Sequence, residues 1–347
     1  MLNQKKLAVA VTVALGASVG FMSSAQATSS LFFPHVVGSQ SVASIISVIN
    51  TAGNRVAWYT NGNLHQTLWT KSWVGEASNA ASCEDYNQYV TTSFNDITSF
   101  DVYGQFGQAT NGILFENNVT TNRVDNSNDP NWSVGINTTL PQRGFLLVSN
   151  EDSSSITDEG VLRGEAFIFE FGAGATWGYQ AASRNPVGVN YDYSSAVSAD
   201  NAAIGILPYD EFETGLMVTP VDVGFPADQN QGDLSSSISL TQKPGGVRGF
   251  FDRDENPFSI SRDRTVVCVG RVDVEDLLFS TNGAFGQFLD GGWTTLEINS
   301  RSSGEPDSNA IVFKLEYNMT DSFNGEAVTG VFNNATHILP AGGTWVQ

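Results

Sequence analysis

Positive charge is scarce in this chain: 16 Lys and Arg stand against 36 Asp and Glu, a net charge of −20. Such a field repels phosphate backbones and anionic headgroups, which argues against nucleic-acid and membrane-surface binding. Cysteine is scarcer still, with only Cys83 and Cys268. They are far apart and have no histidine nearby, so a metal cluster or a redox dithiol fits poorly. A Cys83–Cys268 disulfide is the expectation in an oxidising compartment. Chain entropy gives so long a closure about 5 kcal/mol as an upper figure. Histidine is limited to His35, His65 and His337, and nothing in their spacing points to a Ser-His-Asp set. A His-Glu-x-x-His site, a phosphate loop and a dinucleotide fingerprint are all missing. The one Gly-x-Ser-x-Gly string runs from Gly16 to Gly20, inside a segment that export would remove.

Long apolar runs are also missing, except at the start. Lys5 and Lys6 precede an apolar stretch from Leu7 to Met22, and Ala25-Gln26-Ala27 follows. This is the layout of a bacterial secretory signal peptide spanning 1–27, with the exported region, 28–347, beginning at Thr28. Cleavage removes two lysines and no acid, so the mature charge becomes −22. No cysteine near the cut offers a lipid-anchor acceptor, and no later stretch has the ~20 apolar residues of a membrane-spanning helix. The expected location is therefore secreted or extracytoplasmic: periplasm, cell surface or extracellular space. Five Asn-x-Ser/Thr strings, beginning at Asn118, Asn131, Asn137, Asn318 and Asn334, read as turn and strand composition rather than glycans.

Helical periodicity is nearly absent; only Val274 to Phe279, after Asp273, and Ser93 to Phe100 suggest short helices. What is present is alternation. In Ile311 to Tyr317 every odd position is apolar, while Lys314 and Glu316 are even, predicting one buried and one wet face. Phe167, Phe169 and Phe171 share one face, with Ile168 and Glu170 opposite. Ile45 to Ile49, Gly144 to Val148, Thr265 to Val272 and Thr294 to Ile298 also read as strands, punctuated by Gly, Asn, Asp and Ser. The fold class is thus all-β: an antiparallel β-sandwich architecture of one large or two docked units with only short helical turns. A Gly-Glu-Ala string followed by Phe occurs at Gly164 to Phe171 and again at Gly325 to Phe332, a hint of duplication. Two units would divide within the Gly- and Ser-rich region 181–244.

Asn61-Gly62 is a strong two-residue turn signal and predicts a hairpin centred there. That hairpin would place Trp58, His65 and Trp69 on one face, a candidate sugar-stacking platform if it is wet and core if it is buried. Asp252, Asp254 and Asn256, with Asp263 further on, resemble the ligand spacing of a calcium loop. Pro257 stands where that loop needs glycine, and Asp263 is shorter than the usual closing Glu. A salt-bridged loop with Arg253, Arg262 and Arg264 is the preferred reading, and no cofactor is expected apart from this candidate Ca²⁺. The acidic run Asp125 to Asp129 is a second candidate of the same kind. Glu165 and Glu326 sit in the echoed strings, but water-facing strand residues explain them equally well. The leading functional expectation is a non-catalytic structural or adhesive protein of the cell surface or matrix. A lectin-like carbohydrate-binding module and a secreted glycoside hydrolase using a carboxylate pair are the alternatives. Partners would be surface or matrix components or glycans.

Overall fold

The computed structural model describes residues 30–39, 41–51, 58–68, 73–74, 84–92, 96–102, 113–114, 142–149, 162–171, 175–183, 202–221, 235–242, 247–259, 261–278, 289–300, 309–318, 322–323, 326–327 and 333–338. Residues 1–27, Cys83, the acidic run 125–129 and Trp69 lie outside them. The protein is all-β, as its alternation predicts, and every strand pairing among the described residues is antiparallel.

Four main sheets make two sandwiches. Sheet I runs Ala182–Ser183, Ser30–Gly38, Gln142–Ser149, Trp58–Leu68, Glu84–Thr92. Sheet II runs Ala175–Gln180, Leu162–Glu170, Val42–Asn50, Asp96–Asp101, Ile113–Leu114. They share a core that includes Leu31, Phe33 and Leu146 from sheet I and Ile46, Phe100 and Leu162 from sheet II. Sheet III has Gly292–Ser300 near its centre, flanked by Ser235–Gln242, Phe250–Asp252 and Ala202–Ile206, with Arg264–Val267 further out. Sheet IV runs Gly270–Asp273, Phe212–Val221, Asn309–Asn318, Asn333–Ile338. The second core joins Ile238, Leu240, Leu296 and Ile298 of sheet III to Leu216, Val218 and Val312 of sheet IV. One short strand crosses between the halves: Trp73–Val74 pairs with Arg264–Val267 and so extends sheet III.

A third core joins the sandwiches. Phe32, Phe145 and Leu147 of sheet I and Ile168 and Trp177 of sheet II cluster with Met217, Ile311 and Phe313 of sheet IV. Sheet IV is therefore buried on both faces, which corrects the reading of Ile311 to Tyr317 as half wet. Lys314 is 9% and Glu316 2% exposed, and both point toward the second core with Val312 and Ala310, two and four residues before Lys314 along the strand. A sheet covered on both sides tolerates polar side chains only when they are satisfied. Lys314 Nζ donates to Glu316 Oε1 at 3.1 Å and to Gly205 O at 2.8 Å. The same Oε1 accepts from Leu207 N at 3.3 Å. The pair thereby ties sheet IV to the end of Ala202–Ile206 in sheet III.

Three further expectations change. Asn61-Gly62 is not a turn: Trp58–Leu68 runs unbroken through it, paired on one side with Glu84–Thr92 and on the other with Gln142–Ser149. Two flanking ladders fix the backbone as extended and override the local turn preference. Of the expected helix from Ser93 to Phe100, residues 96–100 are strand instead, since Asp96–Asp101 pairs residue for residue with Ile45–Asn50, and 93–95 lie outside the described residues. Val274 to Phe279 shortens to a 3-10 turn, Val274–Leu277, in which Asp273 makes no side-chain cap. The two Gly-Glu-Ala strings also differ in structure. The first lies mid-strand in Leu162–Glu170, whereas Glu326–Ala327 is a two-residue strand on Ser322–Phe323. Among the Phe residues of 162–171, Phe167 and Phe171 point outward and the Ile168 face is the buried one.

Candidate functional site

The groups with unusual chemistry gather where the two sandwiches meet. Their positions trace back to Pro34. Proline gives the sheet ladder no donor and is confined to edges, strand starts or bulges. Here Ser30–Gly38 shifts register against Gln142–Ser149 between Phe33 and Val36, leaving Pro34 and His35 out of the ladder. Their backbone groups are satisfied from elsewhere. His35 N donates to Tyr179 Oη at 3.1 Å, and the same hydroxyl donates back to His35 O. Thr219 Oγ1, on sheet IV, donates to Pro34 O. A single bulge thus connects sheets I, II and IV.

The bulge aims His35 into a cavity of about 250 Å³ lined by Arg143, Glu170, Trp177, Met217, Arg271 and Tyr317 among others. His35 is 1% exposed, and its Nδ1 has no hydrogen-bond partner among the described residues. Its pKa is held well below the ordinary value, first by burial and then by the positive fields of Arg143 and Arg271. The imidazole is therefore neutral near pH 7. Trp177 lies beside it, with ring centroids 5.8 Å apart. Glu170 Oε1 accepts from Trp177 Nε1 at 2.8 Å and from Tyr317 Oη at 3.0 Å. Burial raises its pKa in spite of those two bonds. Arg271 donates to Asp273 Oδ1 at 2.7 Å and to Glu213, and its guanidinium lies 5.3 Å from the Tyr317 ring centre. Gly215 makes room for this: a Cβ there would meet Arg271 Nε at 3.0 Å and Asp273 Oδ1 at 3.2 Å.

Among the described residues the cavity lining contains one carboxylate, Glu170, beside the guanidinium groups of Arg143 and Arg271. The arrangement offers donors, acceptors and apolar walls to a small guest.

Of the candidate ligand and metal residues drawn from the sequence, Trp58, His65, Asp252, Asp254, Asn256 and Asp263 are not among those lining this cavity. Backbone positions 58 and 65 lie in one continuous strand an odd number of residues apart, so they fall on opposite faces. That removes the geometry that had joined Trp58 to His65; Trp69 lies outside the described residues. Of Asp252, Asp254, Asn256 and Asp263, Asp252 and Asn256 are hydrogen-bonded to each other. No group of three or more His, Cys, Asp or Glu suited to a metal occurs among the described residues. Asp252 instead closes the turn between Phe250–Asp252 and Pro257–Phe258. Its Oδ1 accepts from Asn256 N at 2.8 Å, its Oδ2 accepts from Asn256 Nδ2 at 3.0 Å, and Glu255 adopts φ 64°. Those bonds hold the Asp252 carboxyl below its ordinary pKa. Cys268 is buried at 1% in a backbone kink with φ 66°, and no free cysteine occurs among the described residues.

Sequence reasoning missed His35, Arg143 and Glu170. The available signal was Pro34 inside an apolar, strand-like run, which marks a bulge and hence a side chain turned out of register. A separate aromatic feature lies on the outer face of sheet III. Trp293, 40% exposed, stacks on Phe251 with centroids 4.7 Å apart. No helix among the described residues is long and apolar enough to cross a membrane. No protein-family model matches the chain, and no curated protein or solved structure is similar to it.

Proposed function

We propose that the chain is an exported, non-catalytic structural or adhesive protein of the cell surface or matrix, stiffened by fusion of its two sandwiches and by a Cys83–Cys268 bridge. The observation that carries this reading is the third core. Domains in one chain ordinarily meet through smaller, more polar interfaces and move relative to one another. Here Phe32, Phe145, Trp177, Met217, Ile311 and Phe313 share one apolar cluster, which suits a part that bears load or holds a fixed shape. The acidic surface keeps such a protein soluble and repels like-charged neighbours.

The test is made on the chain expressed in its own cell. Export predicts a mature N-terminus at Thr28 and recovery from the surface or outside fraction, and the bridge predicts a mass two hydrogens below the reduced form. Rigid fusion predicts X-ray scattering that fits one fixed arrangement and a single cooperative melt. Recovery in the cytoplasm with residues 1–27 attached, or two separate melts, overturns the reading.

A further inference from the structure

The junction cavity has the chemistry of a binding site for one small, neutral, polyhydroxylated ring. His35 lines the cavity, and its buried Nδ1 has no hydrogen-bond partner among the described residues; an unmet buried nitrogen costs stability until a guest or water meets it. The lining carries charge of both signs. An anion entering it would meet the Glu170 carboxyl, and a cation would meet the guanidinium groups of Arg143 and Arg271. A hydroxyl avoids both conflicts, because it donates and accepts at once. Trp177 and Tyr317 supply aromatic wall and Met217 aliphatic wall, which suits the C–H face of a sugar ring. About 250 Å³ lies below the ~300–1,000 Å³ of pockets for drug-sized ligands, so one ring fits rather than a chain. Ser41, which is exposed, lies on the rim and opens the site to solvent.

We propose that this cavity binds a single pyranose residue, with His35, Arg143 and Glu170 meeting its hydroxyls. The proposal goes beyond the structural role and does not rest on it, since scattering reads rigidity and sugar titration reads the cavity. The experiment titrates the mature full-length protein with the methyl glycosides of glucose, galactose, mannose and N-acetylglucosamine. Saturation-transfer NMR and calorimetry provide the readout. At least one glycoside should bind saturably, with Kd on the order of 1 mM or tighter. Met217→Trp fills the cavity from sheet IV while leaving its polar groups in place, and should abolish binding. Arg143→Gln should weaken it at least about tenfold, the usual penalty for losing a buried polar contact to a hydroxyl. Trp293→Ala, on the outer face of sheet III, should leave it unchanged. A trisaccharide ending in the preferred residue would bind equally well if the natural guest is a glycan end, and poorly if it is a free sugar. Failure of every glycoside overturns the proposal whatever the variants do. So does tighter binding of benzoate or tetramethylammonium, or binding lost in Trp293→Ala but kept in folded Met217→Trp.

Discussion

Two of the places where the described residues bury charge are built differently. Inside the second sandwich, Lys314 and Glu316 form a closed set. The ammonium reaches the carboxylate and Gly205 O, and the carboxylate also accepts from Leu207 N. At the junction, His35 faces a cavity and its Nδ1 has no partner among the described residues, and Glu170 keeps a raised pKa in spite of two donated bonds. A fully satisfied buried pair tolerates no change to one member, whereas an under-satisfied cluster at an opening has capacity left for a guest. The first arrangement holds two sheets together; the second is the candidate site.

Substitution should separate the two most sharply at Lys314. Lys314→Met takes from Glu316 its ion-pair partner in the core, and should cost about 3–5 kcal/mol in chemical denaturation. Lys314→Met with Glu316→Leu should recover most of that loss, because two apolar residues replace the pair. A single variant as stable as the parent would show that water reaches the pair. Next in size is Tyr179→Phe, which removes the hydroxyl serving both backbone groups of His35. Its expected cost is about 1–3 kcal/mol, read by the same denaturation.

The pH dependence of stability follows, with its sign set by His35. The unfolded histidine titrates near 6.5 and the folded one well below it. The unfolded chain therefore binds more protons in between, so this contribution is present above pH 6.5 and is lost as pH falls toward the folded value. The slope should approach about 1.4 kcal/mol per pH unit. Glu170 acts in the opposite sense. Its folded pKa is raised above 4.5, so its contribution is present at low pH and lost as pH rises through the folded value. Melting Glu170→Gln with and without His35→Gln isolates the histidine, and a slope unchanged by His35→Gln would remove it from the account. The smallest effect is Glu170→Gln alone. The amide oxygen still accepts from Trp177 and Tyr317 while the buried charge disappears. Stability at pH 7 should rise, by no more than about 1 kcal/mol, and the gain should vanish in acid where Glu170 is protonated. A loss at pH 7 would mean that the charge is needed by the arginines.

The same contrast explains what was legible in the chain. Alternation identified the strands, because burial of one side chain in two leaves its mark on sequence. It failed at Lys314 and Glu316, since a polar residue at every second position reads as a wet face whether it meets water or an ion partner. Asn61-Gly62 failed for a different reason. Turn preference is local, while the ladders on both sides of Trp58–Leu68 come from residues 84–92 and 142–149. The cavity was illegible because its groups are remote in sequence. Pro34 alone announced it, by a rule about what proline denies a sheet rather than about what histidine does.

The strand Trp73–Val74 has a consequence for how the chain comes to be folded. It emerges early in synthesis, yet the edge that receives it, Thr265 and Val266, is made only after the rest of the first half is complete. Phe32, Phe145 and Trp177 likewise wait for Ile311 and Phe313. Until then the nascent protein carries an uncovered oily flank and an unmatched backbone edge, both invitations to clumping. Association of that early portion with another chain is therefore the hazard that the late portion removes.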